Sequence, residues 1–179
     1  KKLGAYDLNS YDAIVFSYHG IPVRQTRLTH LPHTCGELKC TQTYTDENRY
    51  CYQAACFHTT RSIVKGLNIE KTKVYTAFQS RFGRNWLSPF TDQILSSLAK
   101  QGKKEVLIVS PSFVADCLET TVEIGLEYNE RFRIEGGKRL DLVPSLNSDI
   151  GWAAFIARMV SGSSDTLIRL NNLPSQISF

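Results

Sequence analysis

No stretch of the 179-residue sequence approaches the roughly 20 consecutive apolar residues that a bilayer-spanning helix needs, and no signal-peptide pattern opens it. Neither GxGxxG nor GxxxxGKS/T occurs, so dinucleotide and P-loop readings lose their usual support. Internal repeats and long low-complexity segments are missing as well. The 21 Lys and Arg outnumber the 17 Asp and Glu for a net charge of +4, yet they are scattered without the dense patch of a nucleic-acid footprint. Nucleic acid is therefore not an expected partner, and the expected location is the cytoplasm. Lys1 replaces an initiating Met and an apolar strand-like run begins almost at once, which reads as a piece of a longer protein.

Cations are missing from one place in particular. Between Ser112 and Glu130 there is no Lys or Arg, while Asp116, Glu119, Glu123, Glu127 and Glu130 follow spacings of three and four. On an α-helix those spacings predict a single acidic stripe. Like charges four residues apart repel by about 0.2 to 0.5 kcal/mol per pair, so such a row either faces water or meets something positive.

What is present is enough apolar material for one core, with 42% hydrophobic and 11% aromatic residues. Four short apolar runs predict buried strands at 11–18, 73–78, 105–110 and 139–144. Helix-like stretches at about 47–66, 89–101, 117–133 and 149–161 alternate with them. This alternation predicts an α/β fold: a four-stranded parallel sheet flanked by helices, a three-layer domain of the flavodoxin or Rossmann-like kind. The expected domain spans 1–162, with a Cys-rich insertion at about 30–57 and a tail at 163–179 that could act as a docking arm or linker.

Two segments carry chemistry beside the acidic row. SYHGIP (17–22) ends the first predicted strand and puts His19 at the sheet edge that Asp116 and Glu119 also approach. Open α/β sheets bind ligands at that edge. A His with a carboxylate can hold a metal or move protons. FQSRFGRNWLSPFTD (78–92) sets Arg81 and Arg84 among Phe78, Phe82, Trp86 and Phe90, a surface suited to a planar anionic ligand. Solvated arginines over core aromatics account for it equally well.

Cys35, Cys40, Cys51 and Cys56 form C-x4-C-x10-C-x4-C, holding four of the five cysteines in one segment. Such clustering suits a metal or cluster site, either a 2Fe-2S centre or structural zinc, with His30, His33 and His58 as substitute ligands for zinc. Cys117, beside the acidic row, reads as a packed thiol.

SYHGIP, FQSRFG followed by WL and TD, and ADCLET followed by GGK and LN together resemble ferrochelatase. The likeness runs in order over residues 12–160 and corresponds to the C-terminal half of that family. It implies a chelatase-like fold and insertion of ferrous iron into protoporphyrin IX, with a missing N-terminal half closing the porphyrin cleft. It assigns His19 and Glu119 as catalytic and metal-handling groups, and Glu123 and Glu127 to a route for metal delivery or proton exit. Tyr18, Ile21, Arg81 and Trp86 are assigned to the porphyrin surface. It also favours a 2Fe-2S cluster on Cys35, Cys40, Cys51 and Cys56. A homodimer and peripheral contact with the inner membrane stay open. The rival readings are a cobalt or nickel chelatase acting on another tetrapyrrole, and a non-catalytic iron-sulfur or zinc-binding domain. One departure is local: only Asn85 separates Arg84 from Trp86, where the family has a longer spacer.

Overall fold

The computed structural model describes residues 2–161; the predicted tail at 163–179 lies outside them. The run AIVFSYH forms strand β1 (Ala13–His19), buried at every position except its last. Strands β2 (Val74–Gln79), β3 (Glu105–Val109) and β4 (Arg139–Leu142) complete a parallel sheet in the order β2-β1-β3-β4. All four predicted strands are present, each shifted or trimmed by one or two residues.

Strand side chains alternate between faces, and β1 divides its residues accordingly. Ile14, Phe16 and Tyr18 pack in one core cluster with Cys56 and Val64 of helix α2 (Tyr52–Gly66). Ala13 and Val15 pack in a second cluster with Leu95, Leu98 and Ala99 of helix α3 (Thr91–Lys100). The sheet is therefore covered on both faces, as a parallel sheet requires. A short helix α1 (Val23–Arg27) follows β1, and α6 (Ile150–Val160) closes the described chain. Among the described residues no helix is long and apolar enough to cross a membrane.

Chain order and spatial order disagree in an informative way. From β1 the chain moves to β2 on one side, then crosses to β3 and β4 on the other. The strand order thus reverses at β1/β3, and the carboxyl ends of those two strands form the crevice where open α/β sheets place ligands.

The predicted helix at 117–133 is broken into three pieces. Helix α4 (Leu118–Thr121) is followed by a π-helical segment (Glu123–Tyr128) and then helix α5 (Asn129–Ile134). The break is visible in the hydrogen bonds, because Leu126 and Glu127 both donate N–H to the carbonyl of Val122, at 3.1 and 3.0 Å. The wider turn takes Glu119, Glu123 and Glu127 out of the single stripe that α-helical spacing predicts.

Asp116 lies before α4 and performs a different task. Its carboxylate accepts from Ser145 N at 2.9 Å and Asn147 Nδ2 at 2.6 Å, while its own N–H donates to Asn147 Oδ1 at 2.9 Å. These bonds tie the loop after β3 to the loop after β4.

Candidate active site and metal centre

His19 is the last residue of β1 and is partly exposed. Its Nδ1 lies 2.6 Å from the carbonyl oxygen of Gly20. A carbonyl can only accept, so Nδ1 carries the hydrogen and Nε2 is left with its lone pair. The main-chain carbonyl of His19 accepts from Tyr52 Oη at 2.9 Å. Gly20 must be glycine for a steric reason: a Cβ there would sit 2.8 Å from the carbonyl oxygen of Gln79, the same oxygen that accepts the Gly20 N–H at 2.7 Å.

Glu119 stands in the first turn of α4, on the element that follows β3. Its own backbone N–H, the Cys117 thiol and the nearby His19 together hold its carboxyl below the ordinary value of 4.5. His19 at the end of β1 and Glu119 on the element after β3 both stand at the carboxyl edge of the sheet. The Phe113 ring lies 6.1 Å from the His19 ring, and exposed Val114 and Leu118 give the same loop an apolar rim. Cys117 is half-exposed and serves as the N-cap of α4 through a reciprocal pairing with Thr120, rather than as a packed core thiol.

Gln79 joins the two sides. It is 1% exposed and lies opposite His19 in the β1/β2 register. Its Oε1 accepts from Ser17 Oγ at 2.7 Å and its Nε2 donates to the carbonyl of Glu119 at 2.7 Å. Sequence reasoning passed over this residue; its signal is a polar amide closing an apolar strand. Glu123, the next acid, turns toward the end of β2. Its carboxylate accepts from Ser80 N at 2.9 Å, Ser80 Oγ at 2.5 Å and Tyr128 Oη at 2.6 Å. Burial, then the bond to Glu123, pushes the Tyr128 phenol up, so it stays a donor. Glu127 and Glu130 are exposed.

The residues assigned to the porphyrin surface separate. Tyr18 does not line a surface: it is 2% exposed, packed with Phe78 and bonded through Oη to Thr60 Oγ1 at 2.9 Å. Side-chain alternation along β1 turns it into the α2 layer, one position before the sheet edge. Arg81 is tied down, 3.1 Å from Asp92 and stacked 3.9 Å over Phe90. Ile21 is partly buried, and its carbonyl accepts from Leu87 N at 3.0 Å. Trp86 bridges to Pro22 beside Gly20, its ring 5.5 Å from that of Phe82, which is 87% exposed.

The Cys-rich segment gathers a different set from the four cysteines. His30, Cys35, Cys40 and Cys51 each offer one donor atom, and these atoms all lie within 4.8 Å of one another. Such a group could hold a metal ion. Cys56 is excluded because Cys51 caps α2 while Cys56 lies inside the helix, turned away into the main core. Burial pushes the Cys56 thiol up to about 12. His33 contributes only its carbonyl, which accepts from His30 Nδ1 at 3.1 Å, and His58 stacks 4.4 Å from Tyr44.

The Ferrochelatase family model matches residues 1–164. The chain belongs to the ferrochelatase family. A ferrochelatase of Coxiella burnetii (strain Dugway 5J108-111) is 39% identical over 167 residues, which are 88% of this chain and 46% of that protein. A ferrochelatase of Legionella pneumophila (strain Lens) is 39% identical over 149 residues, 83% of this chain and 44% of that protein. The chain thus spans about half the length of the curated ferrochelatases it matches. A crystal structure described as a CbiX protein of cobalamin (vitamin B12) biosynthesis from Marinobacter aquaeolei VT8 aligns with 89% of this chain and 98% of its own, at 16% identity and a TM-score of 0.45.

Proposed function

We propose that the chain is the C-terminal half of an enzyme that inserts ferrous iron into protoporphyrin IX, and that His19 and Glu119 carry the chemistry this half supplies. The observation that carries the reading is the placement of these two groups at the carboxyl edge of the sheet, His19 ending β1 and Glu119 on the element that follows β3, on a ferrochelatase-family chain. The relatives' greater length supports a missing N-terminal half as the opposite wall of the cleft.

Insertion of a divalent ion into a free-base porphyrin releases two pyrrole protons. His19 can take one at Nε2, since its Nδ1–H is committed to Gly20, and the second passes to solvent water. The imidazolium that forms is stabilised by the Glu119 carboxylate, which is held ionised. Exposed Glu127 offers a carboxylate to iron or protons at the surface, while Glu123 is held inward by Ser80 and Tyr128. Phe113, Val114 and Leu118 offer apolar contact to a flat macrocycle, with Trp86 and Phe82 as a second aromatic edge. Cys56, packed in the main core, stands outside the group formed by His30, Cys35, Cys40 and Cys51.

The test is an anaerobic assay of the full-length protein with ferrous iron and protoporphyrin IX. His19→Ala and Glu119→Gln should each lower kcat by about 100-fold or more, the range of a general base. Near-normal turnover in both variants would remove the assignment. Comparable rates with cobalt and a more reduced tetrapyrrole, but none with protoporphyrin, would favour the other chelatases.

A further inference from the structure

We propose that His30, Cys35, Cys40 and Cys51 bind a single tetrahedral metal ion, best matched by zinc, in place of the two-iron cluster that the family resemblance favours. The inference stands apart from the chelatase reading.

Distances carry it first. With metal–sulfur bonds near 2.3 Å and metal–nitrogen bonds near 2.0 Å, the edges of a tetrahedral site are about 3.5 to 3.8 Å. Cys35 Sγ lies 3.7 Å from Cys51 Sγ and 3.3 Å from His30 Nε2, and Cys40 Sγ lies 4.0 Å from the same nitrogen. All four donor atoms lie within 4.8 Å of one another. A 2Fe-2S cluster instead holds two ligand pairs on two irons separated by bridging sulfides, so ligands on opposite irons stand wider apart than one tetrahedral edge. An all-thiolate cluster would also require Cys56, which is 3% exposed and packed in the main core.

The surroundings complete a ligating site. His30 Nδ1 donates to the carbonyl of His33, which leaves Nε2 with a lone pair among the sulfurs. Asn48, 0% exposed, donates Nδ2–H to Cys40 Sγ at 3.7 Å, the kind of contact that favours a bound thiolate, and the Cys35 thiol reaches Thr26 Oγ1 at 3.6 Å. His30, Cys40 and Cys51 are buried, whereas Cys35 opens onto a cleft of about 390 Å³ shared with Arg27, Thr34 and Gln53. That cleft is the route by which an ion reaches the site.

The ion has work to do in this position. Residues 28–51 contain no strand or α-helix, and their buried apolar cluster is reduced to Cys40, Cys51 and Ala54. Coordinate bonds would supply the cohesion such a segment cannot obtain from burial. Cys51 caps α2, and its neighbour Tyr52 holds the His19 carbonyl, so the ion anchors one support of the active-site strand end.

The experiment measures metal and acid-labile sulfide in the purified chain expressed with zinc and iron both supplied. One equivalent of a single ion per chain and no sulfide is expected, with intense visible bands after cobalt exchange, as four-coordinate thiolate sites give. Asn48→Ala should weaken zinc binding by about 10- to 100-fold, the usual effect of removing an outer-shell partner. His30→Ala and Cys51→Ala should lose the ion, while Cys56→Ala retains one equivalent. Should the ligand variants fail to fold, zinc competition against a chromophoric chelator on the unaltered chain decides the matter, with 1:1 binding expected. Two irons with two sulfides, or loss of metal in Cys56→Ala but not in His30→Ala, would overturn the proposal; so would the absence of binding.

Discussion

Gln79 donates its side-chain amide to the main-chain carbonyl of Glu119, 2.7 Å away, although 40 residues separate them. With its other end it accepts from Ser17 in β1, so one buried amide sets α4 against the end of the central strand. The position of the Glu119 carboxylate relative to His19 rests on this bond.

Gln79→Leu should therefore cost about 1 to 3 kcal/mol, since it leaves the Glu119 carbonyl without a donor and removes a partner of Ser17. In the full-length protein it should lower kcat more than it raises KM. Urea unfolding and steady-state kinetics measure the two effects. A stable variant with unchanged kcat would show that the amide positions nothing.

Gly20→Ala places a methyl 2.8 Å from the Gln79 carbonyl oxygen, which belongs to the backbone and cannot swing aside. The expected cost is about 1 to 3 kcal/mol, in the range of overpacked sites. A thermal midpoint equal to that of the unaltered chain would contradict this steric reading.

The inner acid of the row should behave differently from the outer one. Glu123→Gln replaces an acceptor-only carboxylate, facing four donors from Ser80, Tyr128 and Gln79, with an amide that presents N–H to one side of them. A loss of about 1 to 3 kcal/mol is expected. Glu127→Gln, on the exposed surface, should stay within about 0.5 kcal/mol and act, if at all, on iron use. Equal stability of the two variants in denaturant titrations would refute the distinction.

Acid should open the sheet edges in a defined window. Asp12 accepts from the backbone N–H groups of Lys104 and Glu105 at 2.7 and 3.0 Å, and these bonds hold its carboxyl below the ordinary value of 3.8. Asp116 is lowered by Asn147 and Ser145 in the same way. Because the folded state lowers both, their stabilisation is complete above 3.8 and is lost as pH falls below it through the folded values. Asp12→Asn and Asp116→Asn should each flatten the decline in stability below about pH 4. Unfolding followed by circular dichroism between about pH 5 and pH 2 checks it, and an unchanged slope in both would remove these carboxylates from the account.

The strands were readable because each is a short apolar run such as AIVFSYH or EVLIV, whose character belongs to the segment itself. The position of His19 at the end of the first strand and of Glu119 on the element after the third was readable too. Tyr18 shows where local reading stops, since its neighbour's exposure says nothing of which helical layer it faces. Arg81 likewise became a clamp on Asp92 and Phe90 only when the loop after β2 closed on α3.

Composition and periodicity alone determined the alternating elements, the parallel sheet and the segments that carry chemistry, because these depend on neighbours a few residues away along the chain. Tertiary packing alone decided that His30 rather than Cys56 joins the sulfurs, that Glu123 bends inward onto Ser80 and Tyr128, and that a π turn interrupts the acidic helix. Those outcomes depend on partners brought from distant positions, and helical spacing carries no information about what lies across the gap.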